Sequence, residues 1–70
     1  MDKLRALQFF LAAADHGSFA AVAKKFGASP STISKAMSRL EEGLGLQLFY
    51  RNTRNLTLTQ SGQVYADTVR

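Results

Sequence analysis

The chain has 70 residues, 46% of them hydrophobic, with no cysteine, no tryptophan, one histidine and five acidic side chains. That is one small domain, and it excludes a disulfide framework, a zinc knuckle and a thiolate nucleophile. The whole net charge of +4 falls in residues 18–59, where Lys24, Lys25, Lys35, Arg39, Arg51 and Arg54 face only Glu41 and Glu42; composition alone leaves two readings of it, a polyanion-binding surface and an ordinary solvated charge excess.

In the first segment Leu4, Leu7, Leu11 and Ala14 recur at helical spacing with Phe10 beside them, which predicts a helix and its buried stripe. Phe9 falls well away from that stripe and is expected to remain incompletely covered by the domain's own core. That leaves it for the fourth helix or a partner chain. Lys3 and Arg5 before the apolar run Phe9–Ala14 resemble a signal-peptide start, but the run is too short and one-sided. It is also far short of the ~20 residues of a membrane span, and no membrane partner is expected. Gly17 stops the helix, with His16 suited to the negative end of its dipole.

Ser18 can cap a second helix, Phe19–Phe26, whose small residues Ala20, Ala21 and Ala23 permit close packing; Gly27 breaks it. Ser29-Pro30 reads as an N-cap followed by proline at the first helical position. A third helix then runs to about Glu42, with Gly43 and Gly45 ending it. Gly43-Leu44-Gly45 lacks the third glycine and the preceding strand of a dinucleotide loop. Leu48–Arg51 and Leu56–Thr59 read as short strands around a hairpin loop, Asn52-Thr53-Arg54-Asn55. Thr59 caps a fourth helix that is still running at Arg70. The expected fold is mainly α: a winged helix-turn-helix of three helices, a two-stranded wing and the start of a linker helix.

On the third helix, Ile33, Met37, Leu40 and Leu44 share one face at about 100° per residue, with Ala36 close by. Ser31, Lys35 and Ser38 fall opposite, and Thr32, Ser34 and Arg39 lie on the flanks. Short hydroxyl side chains let a helix backbone sink into a major groove, and Lys35 and Arg39 supply groups that seek guanine edges or phosphates. A merely solvated face would alternate glutamate with lysine, whereas here the acids wait until Glu41 and Glu42. Ala23, Gly27 and Ile33 stand where a helix-turn-helix needs a small residue, a turn residue and a branched apolar plug.

These motifs resemble the N-terminal DNA-binding domain of LysR-type transcriptional regulators. The resemblance rests on Gly17-Ser18-Phe19, Ser29, Ile33-Ser34-Lys35, Arg39-Leu40-Glu41, Leu44-Gly45, Leu48-Phe49, Arg51, Leu58-Thr59 and Ser61-Gly62, and it covers nearly all of the chain. It implies sequence-specific binding of double-stranded DNA by a bacterial, cytoplasmic transcription factor, with no catalytic activity and no cofactor or metal. Its domain plan is 1–58 as the DNA-binding domain and 59–70 as the start of a linker helix, the effector-binding domain lying beyond this chain. The third helix becomes the recognition helix, with Ser31, Thr32, Ser34, Lys35 and Ser38 facing DNA and Ser29, at its cap, also in the DNA-binding set. Arg51 and Arg54 become DNA-binding residues of the wing, Arg54 the better placed for the minor groove, and Ser18 becomes a phosphate ligand. The partner chain is a second copy meeting Phe9, Val64, Tyr65 and Thr68, a tetramer being compatible with the complete protein. A small-molecule effector enters only through the absent C-terminal domain.

Two departures bear on the operator sequence and leave the binding mode intact. Pro30-Ser31 replaces a frequent Gln-Pro, and Tyr50 replaces the usual acid before the wing arginine. The other reading of the same outline is a winged-helix module for protein–protein contact, against which Lys35, Arg51 and Arg54 argue. Adjacent Glu41 and Glu42 point about 100° apart on a helix and cannot form a catalytic pair; an ion pair with a nearby arginine is expected for Glu41.

Overall fold

A computed structural model of the chain describes residues 3–51 and 56–70. The elements are α1 (Lys3–His16), α2 (Phe19–Phe26), α3 (Pro30–Leu44), β1 (Phe49–Arg51), β2 (Leu56–Leu58) and α4 (Gln60–Val69). This is the expected winged helix-turn-helix outline. The hairpin loop expected at Asn52–Asn55 lies outside the described residues.

The first helix carries a correction. At about 100° per residue, Leu4, Leu7 and Leu11 lie roughly 140–160° from Phe9, and the core takes the Phe9 side. Ala6, Phe9, Phe10, Ala12 and Ala13 are buried, while Leu4 is 63% exposed and Leu7, Leu11 and Ala14 are only half-buried. Phe9 itself is 1% exposed and meets the Phe26 ring edge-on at 5.0 Å. It is therefore a core residue of its own domain, not one left over for a partner chain. The reason is that α1 packs against α2, α3, α4 and β2 at once. Three alanines let those neighbours approach, and two phenylalanines fill what remains, each worth ~1.5–3 kcal/mol on burial.

The rest of the core joins this centre. Val22, Ile33, Met37, Leu48 and Phe49 are fully buried. The Phe10 ring lies 5.6 Å from Phe49 and 5.2 Å from Tyr65, so one aromatic links the wing and α4. In α3 the buried stripe is Ile33, Ala36 and Met37, with Leu40 half-buried; Leu44, expected in the same stripe, is exposed because it sits in the last turn, beyond the helices packed on α3. The helix runs through Gly43 to Leu44, so Gly45 alone ends it, and the expected double stop is corrected. Gly43 has no positive φ, and a lone glycine inside a turn already held by its neighbours weakens a helix without breaking it.

Strands β1 and β2 pair antiparallel, Phe49 opposite Leu58 and Arg51 opposite Leu56. Thr59 then turns the chain into α4. Its hydroxyl accepts from Gly62 N at 2.9 Å and donates to Gln47 O at 2.5 Å, while its own amide donates to Leu48 O at 2.9 Å. Gly62 is needed here for space. A Cβ at that position would lie 2.1 Å from the Leu48 carbonyl oxygen.

Candidate nucleic-acid interface

The path from α2 to α3 sets the candidate face. Ser18 sits extended at the start of α2, and its Oγ accepts from Ala21 N at 3.3 Å, which satisfies one donor of the free helix end. At the other end Gly27 adopts φ +67°, a left-handed conformation that a branched residue resists. The amides of Gly27 and Ala28 both return to Ala23 O, the latter at 2.8 Å. Ala23 is 2% exposed and Ile33 wholly buried, as expected of the small residue and the plug of this turn.

Ser29 caps α3 ahead of Pro30. Its Oγ accepts from Thr32 N at 3.2 Å and also lies 3.1 Å from Ser31 Oγ and 2.9 Å from Thr32 Oγ1. Three hydroxyls thus share one cluster at the exposed start of the helix. Each hydroxyl has one proton and two lone pairs, so Ser31 and Thr32 retain capacity for an outside partner. Ser31, Thr32 and Lys35 are exposed and Ser34 is half-buried. The Lys35 side chain makes no hydrogen bond or ion pair among the described residues. Its charge is free to meet an anion.

Ser38 and Arg51 stand apart from that group. Arg51 Nη1 donates to Ser38 Oγ at 3.2 Å, and Nη2 forms a 2.6 Å ion pair with Glu41 Oε1. The guanidinium also lies 5.6 Å from the Phe19 ring centroid. Glu41 therefore has its ion pair, and it does more. Its Oε2 accepts from Leu48 N at 2.7 Å and Phe49 N at 3.2 Å, holding the start of β1 against α3. Sequence reading expected the ion pair but not these amide contacts, for which no spacing rule exists. Arg54, the other wing cation, lies outside the described residues.

The residues expected at a dimer contact separate as well. Val64 is 60% exposed and Thr68 is exposed, its hydroxyl turned back to Val64 O at 2.8 Å. Tyr65 is half-buried with its ring on Phe10. Leu46, Gln60, Ser61, Val64, Tyr65 and Thr68 line a shallow groove along α4. Among the described residues no helix is long and apolar enough to cross a membrane.

Comparison with known proteins agrees with this geometry. The family described as bacterial regulatory helix-turn-helix proteins of the lysR family matches residues 4–63. An uncharacterized HTH-type transcriptional regulator of Sinorhizobium fredii, y4mQ, is 50% identical over 60 residues, covering 86% of this chain and 20% of that protein. PtxR of Pseudomonas aeruginosa, an HTH-type transcriptional regulator, is 46% identical over 61 residues, covering 87% of this chain and 20% of its own length. The chain thus spans about a fifth of the length of these relatives. The CbnR DNA-binding domain, solved in complex with DNA, superposes with a TM-score of 0.91 at 34% identity over 96% of this chain and 77% of that one. The BenM DNA-binding domain on its benA site 1 DNA gives 0.89 at 31% identity, covering 96% and 75%. On sequence, fold and the construction of its helix-turn-helix, the chain belongs to the lysR family of bacterial regulatory helix-turn-helix proteins.

Proposed function

We propose that this chain binds double-stranded DNA sequence-specifically, as the DNA-binding part of a bacterial LysR-type transcriptional regulator acting in the cytoplasm and without catalytic activity. The observation that carries the reading is the outward face of α3, where Ser31 and Thr32 are exposed beside Lys35, whose ammonium has no partner among the described residues, on a helix start free of acids. Structural likeness to domains solved on DNA supports it. In this reading α3 lies in the major groove, with Ser31, Thr32, Ser34 and Lys35 toward base edges and phosphates. Ser18, at the start of α2, directs its hydroxyl proton to a backbone phosphate. Ser29 shapes the helix start through its cap. Arg54 enters the minor groove from the wing.

Residues 59–70 begin the linker helix, and the exposed Val64 and Thr68 with Tyr65 are its contacts to a second copy. A two-fold dimer places two recognition helices on half-sites about one helical turn, or a multiple of it, apart. Phe9 leaves this set because its own core covers it. The relatives are about five times as long as the stretch this chain matches, and a small-molecule effector would act through the part of such a regulator that this chain does not match.

The test is binding to duplex DNA across a salt series. Neutralising some four to six phosphates gives a log–log slope of about −4 to −5 per protomer. A slope near zero on every duplex overturns the DNA reading and leaves the protein–protein module.

A further inference from the structure

We infer that Arg51 and Glu41 are positioning residues that set the wing against the recognition helix, and that Arg51 does not itself hold DNA. This rests on the DNA-binding reading above. Arg51 stands on the wing and carries a charge, so composition alone would give it to a phosphate. Its surroundings give it other work.

Each terminal nitrogen of the guanidinium already donates one N–H to the protein, one to Ser38 Oγ at 3.2 Å and the other to Glu41 Oε1 at 2.6 Å. Its plane lies near the Phe19 ring, 5.6 Å from the centroid, and Phe19 meets Phe49 edge-on at 5.8 Å. One side chain of β1 therefore touches α2 and α3 together. The bond to Glu41 is charge-assisted and short, the strong kind of hydrogen bond.

Glu41 fixes the other half of the arrangement. Its side chain is only 14% exposed, and both oxygens are engaged, Oε1 with Arg51 and Oε2 with the amides of Leu48 and Phe49. Were Arg51 to swing out to a phosphate, this carboxylate would lose its counter-charge beside an approaching polyanion. Desolvation and like-charge repulsion both oppose that exchange. The carboxylate needs the arginine where it is.

The pair has a mechanical consequence. Glu41 belongs to α3, two turns from Ile33, while Leu48 and Phe49 lead into β1. A carboxylate bridging them, closed by Arg51, fixes the direction in which the hairpin leaves the helix. That direction sets where strands β1 and β2 lie against the recognition helix. Leu56 N on the returning strand donates to Gly17 O at 3.3 Å and anchors the hairpin's far side.

The experiment compares the full chain with Arg51→Gln, Arg51→Lys, Glu41→Gln and the double variant Glu41→Gln/Arg51→Gln. Affinity is measured on a randomised duplex library and across a salt series. Positioning predicts that both Gln variants lose about tenfold in affinity. The loss falls at library positions flanking those read by α3, and the salt slope stays that of the parent. Lysine fails to rescue, because a single ammonium cannot serve Ser38 and Glu41 in one plane. The double variant is no worse than Arg51→Gln, since the two act as a unit.

A direct phosphate contact predicts the opposite pattern. The slope drops by about 1 for Arg51→Gln, lysine restores most of the affinity, and Glu41→Gln binds like the parent. That result overturns the proposal and leaves the DNA reading standing. A parent chain with no salt-dependent binding overturns both. Should Glu41→Gln melt below the assay temperature, Arg51→Lys decides alone, because its site is 37% exposed and it keeps its charge.

Discussion

Helices α1 and α3 are nearly equal in length, 14 and 15 residues, yet they bury themselves by different rules. Helix α3 has one buried stripe and one polar face, so its apolar residues mark its inside. Helix α1 has neighbours on several sides, and its inside is marked by small and aromatic residues while its leucines ride toward the surface. The lesson is that side-chain hydrophobicity ranks a face correctly when one stripe meets all the neighbours, as the stripe of α3 meets α1 and α2. Where several elements converge, the room each side chain leaves decides.

The strongest test of that contrast is Phe9→Ala set against Leu4→Ala. Phe9 is 1% exposed against Phe26, and removing a buried ring costs ~3–5 kcal/mol. A domain of 70 residues has only ~3–5 kcal/mol of net stability to lose, so Phe9→Ala is expected to unfold much of the population at 25 °C. Leu4, 63% exposed, should change stability by ~0.5 kcal/mol or less. Chemical denaturation of both variants checks it, and equal losses would mean the leucine face is the inner one after all.

A second break comes where α4 crosses the start of the wing. Gly62→Ala sets a Cβ 2.1 Å from the Leu48 carbonyl oxygen, a backbone atom that cannot step aside alone. The expected loss is ~3 kcal/mol, at the upper end for overpacking. Gly43→Ala in α3 meets nothing within 4 Å and should stabilise by ~0.5–1 kcal/mol, since alanine outranks glycine inside a helix. Opposite signs in thermal denaturation are the result to look for. Two losses of equal size would show that helix propensity, not space, governs both positions.

These residues also show what was readable in the chain. The turn between α2 and α3 was legible because its signals are local: Ser29-Pro30 caps, Gly27 turns, and Ala23 and Ile33 sit at fixed offsets. The outward face of α3 was legible because its polarity and its angle agree. The inner face of α1 was not, since Leu4, Leu7 and Leu11 make a better stripe on paper than Ala6, Phe9 and Ala13. Gly62 entered only through the family resemblance, and its reason was hidden, because a close approach to Leu48 depends on a contact 14 residues away. The amide contacts of Glu41 were hidden for the same reason. Interactions between distant segments leave no period in the sequence.

Lys35→Ala sharpens the comparison on the functional side. An exposed lysine with no partner among the described residues adds little to folding, so stability should stay within ~0.5 kcal/mol of the parent. Binding should fall by ~1–3 kcal/mol, with altered sequence preference if Lys35 reads a base and a uniform loss if it meets a phosphate. Denaturation and a randomised-library binding assay separate the two effects. A stability loss without a binding loss would return this face of α3 to ordinary solvent exposure.

The smallest effect sits at the surface end of α1, where Asp15 Oδ1 accepts from Arg70 Nη2 at 2.9 Å. The hydrogen bond and charge of Arg70 hold the Asp15 carboxyl below its ordinary value, and Asp15 in turn raises Arg70. A carboxylate with a depressed folded pKa stabilises the fold above its unfolded pKa, and this is lost as pH falls through the lower folded value. The pair's contribution is therefore complete at neutral pH and disappears only in acid below the usual carboxylate range. Both side chains are about half exposed, so solvent screens them and their worth is slight. Asp15→Asn should lower Tm slightly at pH 7 and low salt, with the difference closing both in acid and at about 1 M salt, where the screening length is only ~3 Å. Paired thermal melts across pH and salt measure it. A Tm difference that persists unchanged at high salt would mean that Asp15 holds the end of α4 through packing, and that α1 has a third working face beside the two already distinguished.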